Sequence, residues 1–491
     1  MRRHLLIGAA ALVVLAAPML AQVQEPAHQA TSGLTQADVV QGLSSNAITH
    51  KEARQLGLLV FSTPFNTLDG HGDGPFDLSE WQDDPIAFGH RPTLQGNGQF
   101  LRVNGLDAQS CNECHGFVSA RTLPPTLGIA GVGGVVQNAI IMPSLIDVAD
   151  SWDDRVQYVA GHDPDLPLDP DGVADFNGRF ANPPFLFGGG GVELLAKEMT
   201  ADLQHYLDQA EQAPAGTVIS LDTHGVNFGH LVSQGGGSVD INAEGVDEDL
   251  VVRPFGRKGE NFSMRDFDRG AMQFHFGIQP EEVVGLADED GDGVSLEVSI
   301  GEFSVLHIFD VSNPRPFQEN LDGEAEWGQQ VFQQAGCANC HRPELKTQLR
   351  SVPLAHPEVA DDPFANVYYE VDLHKVGFSK DKDGTGVVVP LYADLKRHYM
   401  GPGLEETFER GHIPNGEFTT ARLWGIADTA PYLHDGRATT LHEAITMHGG
   451  EAQSARDYYA GLSSDAQAAL ISFLKTLRTP KNPNEELLPI Q

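Results

Sequence analysis

Cysteine is scarce in this chain: four residues among 491, Cys111, Cys114, Cys337 and Cys340. All four lie in two short motifs, so none is left for a disulfide framework. Long apolar runs are equally scarce. After the stretch from Leu5 to Leu20, no segment approaches the roughly 18 uninterrupted apolar residues that a membrane helix needs, which excludes an integral membrane segment in the processed chain. Basic residues are few, with 31 Lys+Arg against 68 Asp+Glu and a formal charge of −37. A phosphate backbone would be repelled with no basic patch to override the field, so nucleic acid is excluded as a partner. The same acidic surface could steer a small basic redox protein, or simply keep the chain soluble.

The cysteines carry the strongest positive signal. Cys111-Asn-Glu-Cys114-His115 and Cys337-Ala-Asn-Cys340-His341 are two copies of Cys-x-x-Cys-His. In such a motif the two thiols add to the vinyl groups of one haem, and the adjoining His supplies the proximal nitrogen to iron. Cys-x-x-Cys alone also serves zinc and dithiol sites. The His after each second Cys, found twice with no cysteine left over, favours two covalently bound haem c groups.

The N-terminus is consistent with export. Arg2 and Arg3 precede the Leu5–Leu20 run, which ends at Ala21 beside small residues. Residues 1–21 read as a Sec-type signal peptide, which places the mature chain in the periplasm. Residues 22–47 read as a flexible leader, 48–316 as a first cytochrome c-like domain with an insertion at about 165–300, 317–480 as a second such domain, and 481–491 as a tail. With Gly 53, Pro 30 and 20% charged residues, the fold class expected is mainly α with long loops, the insertion being partly β.

Local patterns place several elements. A helix is expected near His50 to Val60, separated from the first motif by a Gly- and Asp-rich loop. Glu324 to Phe332 has Trp327, Val331 and Phe332 at helical spacing, leading into the second motif. Ser464 and Gln467 suggest a capping box for a helix with Leu470, Leu474 and Leu477 on one face, packing across the second haem module. Alternation between Gly clusters from Thr217 to Val252 reads as strands. Asp288, Asp290 and Asp292 resemble the start of a calcium loop, but Ser299 stands where an EF-hand has Glu, so another calcium loop and a plain turn both stay open.

The C-terminal third resembles a known family. Thr429-Ala-Pro-Tyr-Leu-His434-Asp-Gly-Arg437-Ala-Thr-Thr-Leu-His-Glu-Ala-Ile445 is similar to the segment after the second haem in the bacterial di-haem cytochrome c peroxidase and MauG superfamily. Leu395-Lys-Arg-His398-Tyr-Met400-Gly-Pro-Gly403 and His448-Gly-Gly-Glu451-Ala452 bring it closer to the di-haem oxidoreductase, or thiol oxidoreductase, branch; the di-haem rubber oxygenases are more distant. The resemblance implies a distal ligand for the second iron at His448, with Met447 and Met400 as thioether alternatives. Between His115 and His162 no histidine occurs, so the labile distal ligand usual after the first motif is missing. That departure implies an open first iron, unless His275 returns from the insertion.

The resemblance also implies an acid at Glu193, in Asn182-Pro-Pro-Phe-Leu-Phe187-Gly-Gly-Gly-Gly-Val-Glu193, and an inter-haem relay at Trp152, in Ser151-Trp-Asp-Asp-Arg155. Asn138 falls near the superfamily's calcium ligand. The function expected is a periplasmic di-haem oxidoreductase whose first haem reacts with hydrogen peroxide or dioxygen and whose second, bis-His haem transfers electrons. A non-catalytic electron-transfer cytochrome and an oxygenase cleaving an apolar organic substrate are the alternatives.

Overall fold

The computed structural model describes residues 33–72, 108–117, 140–143, 178–289, 291–406 and 412–487. The proposed signal peptide lies outside them. Among the described residues no helix is long and apolar enough to cross a membrane.

Helices start where the sequence supplies a cap. Thr35 opens α1 (Gln36–Ser45): its hydroxyl accepts the Asp38 N–H, and the Asp38 carboxylate accepts the Thr35 N–H in return. Asn46 in the left-handed region closes the helix. This corrects the reading of 22–47 as leader throughout, because its second half is a capped helix. The segment is fastened to the interior where the Ser299 hydroxyl donates to the Leu34 carbonyl at 2.6 Å.

Thr49 and Glu52 form the same reciprocal box for α2 (His50–Ser62). Next come α3 (Gly189–Gln212), α4 (Met264–Ala271) and α5 (Ile300–Val311). From Gly301 to Val311 every residue of α5 is buried, so this helix forms the axis of the larger core. The second half of the chain contributes α6 (Gly323–Gln334), α7 (Leu441–Met447), α8 (Gln453–Ala460) and α9 (Ser464–Leu474).

The loop between α2 and the first motif leaves and returns at one place. Phe65 N–H donates to the Gln109 carbonyl at 2.8 Å, and Gln109 Nε2 donates to the Phe65 carbonyl at 3.2 Å. The helix-then-motif order that the sequence interrupts is therefore restored in space.

A second parallel links the two halves. Where α2 crosses α5, a Cβ on Gly57 would lie 2.1 Å from the Val305 carbonyl oxygen; where α6 crosses α9, one on Gly328 would lie 1.9 Å from the Ala469 carbonyl oxygen. In both halves the helix preceding a Cys-x-x-Cys-His motif crosses a later helix at a glycine, because only glycine allows so close an approach.

The strands expected from Thr217 to Val252 form an antiparallel sheet in the order β3–β4–β5: Val218–Thr223, Val226–Gly235 and Ser238–Ala243. Preceding them, β1 (Ile140–Pro143) pairs with β2 (Gly178–Ala181), also antiparallel. Further short pairs follow, including Ser351–Ala355 with Val367–Asp372. The described chain is thus mixed helix and strand, richer in small sheets than a mainly α reading.

Buried side chains gather in two clusters. The larger joins α2, α3, α5 and the β3–β5 sheet, and it takes in Leu345, Val352, Leu354, Val371, Leu373, Val389 and Leu395. The smaller contains Val331 and Phe332 of α6 with Leu470, Phe473 and Leu474 of α9. A boundary near residue 316 therefore does not separate the cores, since part of the later sequence packs into the first.

Two local expectations shift. Trp327 is 42% exposed, so α6 buries Val331 and Phe332 without it. The cap of α9 is Ser463, whose hydroxyl accepts the Ala466 N–H, while Gln467 reaches instead to the Tyr459 carbonyl.

Candidate functional site

Both Cys-x-x-Cys-His motifs adopt the same turn. Cys111–Glu113 and Cys337–Asn339 are single 3-10 turns, and in each the His N–H donates to the first Cys carbonyl at 2.9 Å. Burial pushes the Cys111 thiol up, and raises Cys337 to about 11. All four cysteines are free of disulfides.

Three imidazoles share one arrangement. His115 Nδ1 is 2.7 Å from the Pro184 carbonyl, His341 Nδ1 3.1 Å from that of Tyr392, and His448 Nδ1 2.7 Å from that of Ala444. A carbonyl can only accept, so each ring carries its proton on Nδ1 and leaves the Nε2 lone pair available, which is how metal-binding histidines are oriented. Burial lowers His115 and His341 to about 4 and lowers His448 as well, which keeps all three rings neutral at pH 7.

The second site is two-sided. His448 caps the end of α7 and stands opposite His341, their ring centroids 6.4 Å apart. Two imidazole–metal bonds of about 2 Å each, plus the two half-rings, span such a distance. Met447 is 37% exposed and off the cavity wall, whereas Met400 lies on it. His398, also on the wall, donates to Asp394 at 2.9 Å and Glu451 at 2.7 Å. Although burial opposes it, Asp394, the Cys340 sulfur and Glu451 together raise His398 to about 11.

One cavity of about 770 Å³ is lined by both motifs and by His448. Its size and mixed apolar and polar walls fit bulky prosthetic groups. The two ends are tied by one loop. Asn182 N–H donates to the His434 carbonyl at 2.9 Å, and its Nδ2 donates to the Pro431 and Leu433 carbonyls at 2.8 and 3.0 Å. Two residues on, Pro184 accepts from His115. The His434 ring itself stacks on Phe418 at 4.4 Å.

Around His115 the wall is formed by Phe267, Asp268, Gln273, His275 and Phe276. Phe267 meets the His115 ring edge-on at 6.0 Å. His275 sits in a π turn, Met272–Phe276, close enough to contribute to the lowered His115 pKa. The insertion thus does bring His275 back to the first motif.

Glu193 is elsewhere. It is fully buried in the first turns of α3 and is not on the cavity wall. Its carboxylate accepts the Met264 N–H at 3.0 Å at the start of α4, accepts from His307 Nε2 at 3.0 Å, and pairs with Lys197 at 2.8 Å. Burial acts to raise its pKa, but His307 and Lys197 together hold the carboxyl well below the usual range. A carboxylate spent on three donors does not act as the acid at an iron; it positions α4. Glu193, His307 and Glu358 are spaced like metal ligands, but the Lys197 ammonium already stands among them.

Trp152, Asn138 and Asp290 lie outside the described residues. Asp288 and Asp292 use their carboxylates to accept the Gly293 and Val294 N–H groups, as in a tight turn.

Comparison with known proteins follows the same lines. Residues 315–477 match the family "Di-haem oxidoreductase, putative peroxidase". Cytochrome-c peroxidase IdrP1 of Denitromonas iodatirespirans is 27% identical over 166 residues, covering 32% of this chain and 41% of that one. Cytochrome-c peroxidase IdrP2 of Pseudomonas sp. (strain SCT) is 26% identical over 216 residues, covering 39% and 50%. The chain thus spans about half the length of these curated relatives or less. A solved MauG-like protein associated with microbial copper homeostasis is 19% identical over 40% of this chain and 61% of its own, with a TM-score of 0.21, a likeness too slight to bear on the fold. Two Cys-x-x-Cys-His turns on one cavity, with His448 facing His341, thus accompany a match to the di-haem oxidoreductase family over residues 315–477 and a likeness to cytochrome-c peroxidases over about a third of the chain.

Proposed function

We propose that the chain is a peroxide-reducing di-haem oxidoreductase of the periplasm, with haem c attached at Cys111 and Cys114 below His115, and at Cys337 and Cys340 between His341 and His448. The observation that carries this reading is the asymmetry of the two ends of the cavity. His341 has an imidazole opposite it at ligation distance, while the ring packed edge-on against His115 is Phe267, which offers no ligand atom, with His275 on the same wall. Haem bound in these positions would supply the redox chemistry, one iron keeping a position for peroxide and the other held six-coordinate for electron transfer.

The protein's part is to orient and to exclude. The Pro184, Tyr392 and Ala444 carbonyls fix the three imidazoles, so iron would meet pre-aimed nitrogens. Phe267 and Phe276 give the first end an apolar wall. The Asn182–Pro184 loop ties the His115 partner to the Pro431–His434 segment, a short covalent and hydrogen-bonded bridge between the two ends. In this reading Trp152 serves as a further relay, and Glu193 acts through α4. A small one-electron donor protein would dock near the second end.

His275 favours one competing reading. Should it ligate the first iron, both haems would be six-coordinate and the chain would be an electron carrier.

The motif variants test the assignment. Replacing Cys111 and Cys114 with Ser is expected to leave one covalent haem on denaturing gels and to abolish reaction with hydrogen peroxide. The Cys337→Ser, Cys340→Ser pair should also keep one haem, yet retain the single-turnover peroxide reaction and lose donor-driven turnover. The reverse pattern would overturn the assignment of roles.

A further inference from the structure

Among the described residues, the guanidinium groups on the cavity wall belong to Arg257, Arg269, Arg422 and Arg456. All but one meet a carboxylate. Arg257 pairs with Glu406, Arg269 with Asp266, and Arg456 with Asp457 at 2.8 Å. Arg422 meets none among the described residues. Its Nη1 donates to the Pro254 carbonyl at 3.2 Å, and its guanidinium carbon lies 6.0 Å from the centre of the Phe255 ring. A cation taken out of water without an anion is costly, and most of this guanidinium's donors are left to face the cavity. Burial acts on Arg422 unopposed and pulls it down to about 10, so it stays charged at pH 7.

The chain brings this cation to the second end. Thr420 Oγ1 donates at 2.7 Å to Asp394, which follows closely on Tyr392, whose carbonyl orients His341. After Arg422, Leu423 packs against the smaller cluster and Trp424 belongs to the larger, so Arg422 stands at the seam between the cores. Its carbonyl partner comes from the insertion. That stretch is fixed to the second half by the Arg257 pair with Glu406, by the Thr419 N–H donating to the Arg257 carbonyl at 3.0 Å, and by Lys258. The Lys258 ammonium donates to the Pro414, Asn415 and Glu417 carbonyls at 3.0, 2.5 and 2.9 Å. The guanidinium is therefore held in place before any ligand arrives.

We propose that Arg422 pairs with a propionate arm of the haem held at the second motif, and so keeps the reduction potential of that haem up. This rests on haem c being bound between His341 and His448. A planar guanidinium offers a carboxylate parallel N–H groups, a match that an ammonium lacks. Neutralising the arm removes a negative charge from the neighbourhood of the iron. The ferric state, with one more positive charge than the ferrous, loses that attraction, and the ferrous state gains by comparison.

Spectroelectrochemistry of the haem-loaded protein tests the contact without turnover, the first haem serving as internal reference. In Arg422→Met the second potential should fall and the first should stay, with both haems still covalent on denaturing gels. An unchanged second potential, or a shift confined to the first, would overturn the pairing. Arg422→Lys keeps the charge and most of the stem but not the planar fork. Its second potential should lie between those of the parent and Arg422→Met, and the propionate bending band in its resonance Raman spectrum should move to lower frequency as hydrogen bonding weakens. A band unmoved in Arg422→Lys would overturn the pairing even where Arg422→Met fails to fold. Added acetate should leave the parent's second potential unchanged; an acetate-dependent shift that Arg422→Lys abolishes would mean that the guanidinium takes a free carboxylate, and would overturn the propionate assignment. A parent protein with no haem on the second motif would overturn the functional reading instead.

Discussion

Lys197→Met is expected to destabilise the folded protein by about 3–5 kcal/mol, the range for removing one partner of a buried ion pair. Lys197 is 3% exposed and Glu193 0%. The ammonium lies 2.8 Å from Glu193 Oε1, 2.6 Å from the Pro353 carbonyl and 3.7 Å from Glu358 Oε1. Methionine keeps the length of the stem, so the loss measures charge and hydrogen bonding more than packing. What remains is a Glu193 carboxylate held only by His307 and the Met264 N–H. Glu193→Gln should cost less, because its carbonyl can still accept from Met264.

The dependence on pH has a definite sign. Burial raises the Glu193 pKa, but His307 and Lys197 more than reverse this and hold it well below its ordinary value. Its contribution is therefore complete above the unfolded Glu value of about 4.3 and is lost as pH falls through the carboxylate range. Urea denaturation at fixed haem loading checks both points. A Lys197→Met protein within about 1 kcal/mol of the parent would mean that the cluster is solvated.

His448→Ala should convert the second iron from inert to reactive. His448 is oriented by its own helix: Ala444 lies one turn back on α7 and takes the Nδ1 proton at 2.7 Å. The helix is in turn fixed by the Thr440 and Glu443 capping box. Removing the imidazole leaves a space opposite His341 large enough for a small anion. Cyanide should then bind two irons per chain where the parent binds one. His448→Met should raise the second reduction potential, since thioether sulfur favours ferrous iron over a second imidazole. Spectroelectrochemistry of the two variants checks this. A potential and a cyanide stoichiometry both unchanged would remove His448 from the iron.

Much of this arrangement is written locally in the chain. The two motifs and the α2 and α6 helices before them follow from spacing and capping residues that act within a few positions, whereas His448 follows from the resemblance. The Thr35 and Asp38 box of α1 is equally local, but the polar composition of 22–47 masks it, and the packing on Ser299 that holds it is 265 positions away. Ser464 is the cap that the spacing suggests, and the fold uses Ser463, one residue earlier. Trp327 fits the apolar stripe of α6 by spacing, although the cluster around Phe332 closes without it.

The rest of the site is made by backbone and by distant pairing. Pro184, Tyr392 and Ala444 orient the imidazoles through carbonyl groups that every residue possesses, so no side-chain signal marks them. Glu193 lies in a recognisable segment, but its neighbours Lys197, His307 and Met264 come from three helices and turn it from an acid into an anchor.

The most direct test is the ligation of the two irons in the unsubstituted ferric protein at neutral pH, read by electron paramagnetic resonance before and after cyanide. One low-spin bis-His centre and one centre with an open or water-occupied position are expected, and cyanide should convert only the second of these. Two low-spin centres that both resist cyanide, as His275 ligation would produce, would contradict the assignment of His115 to the reactive iron.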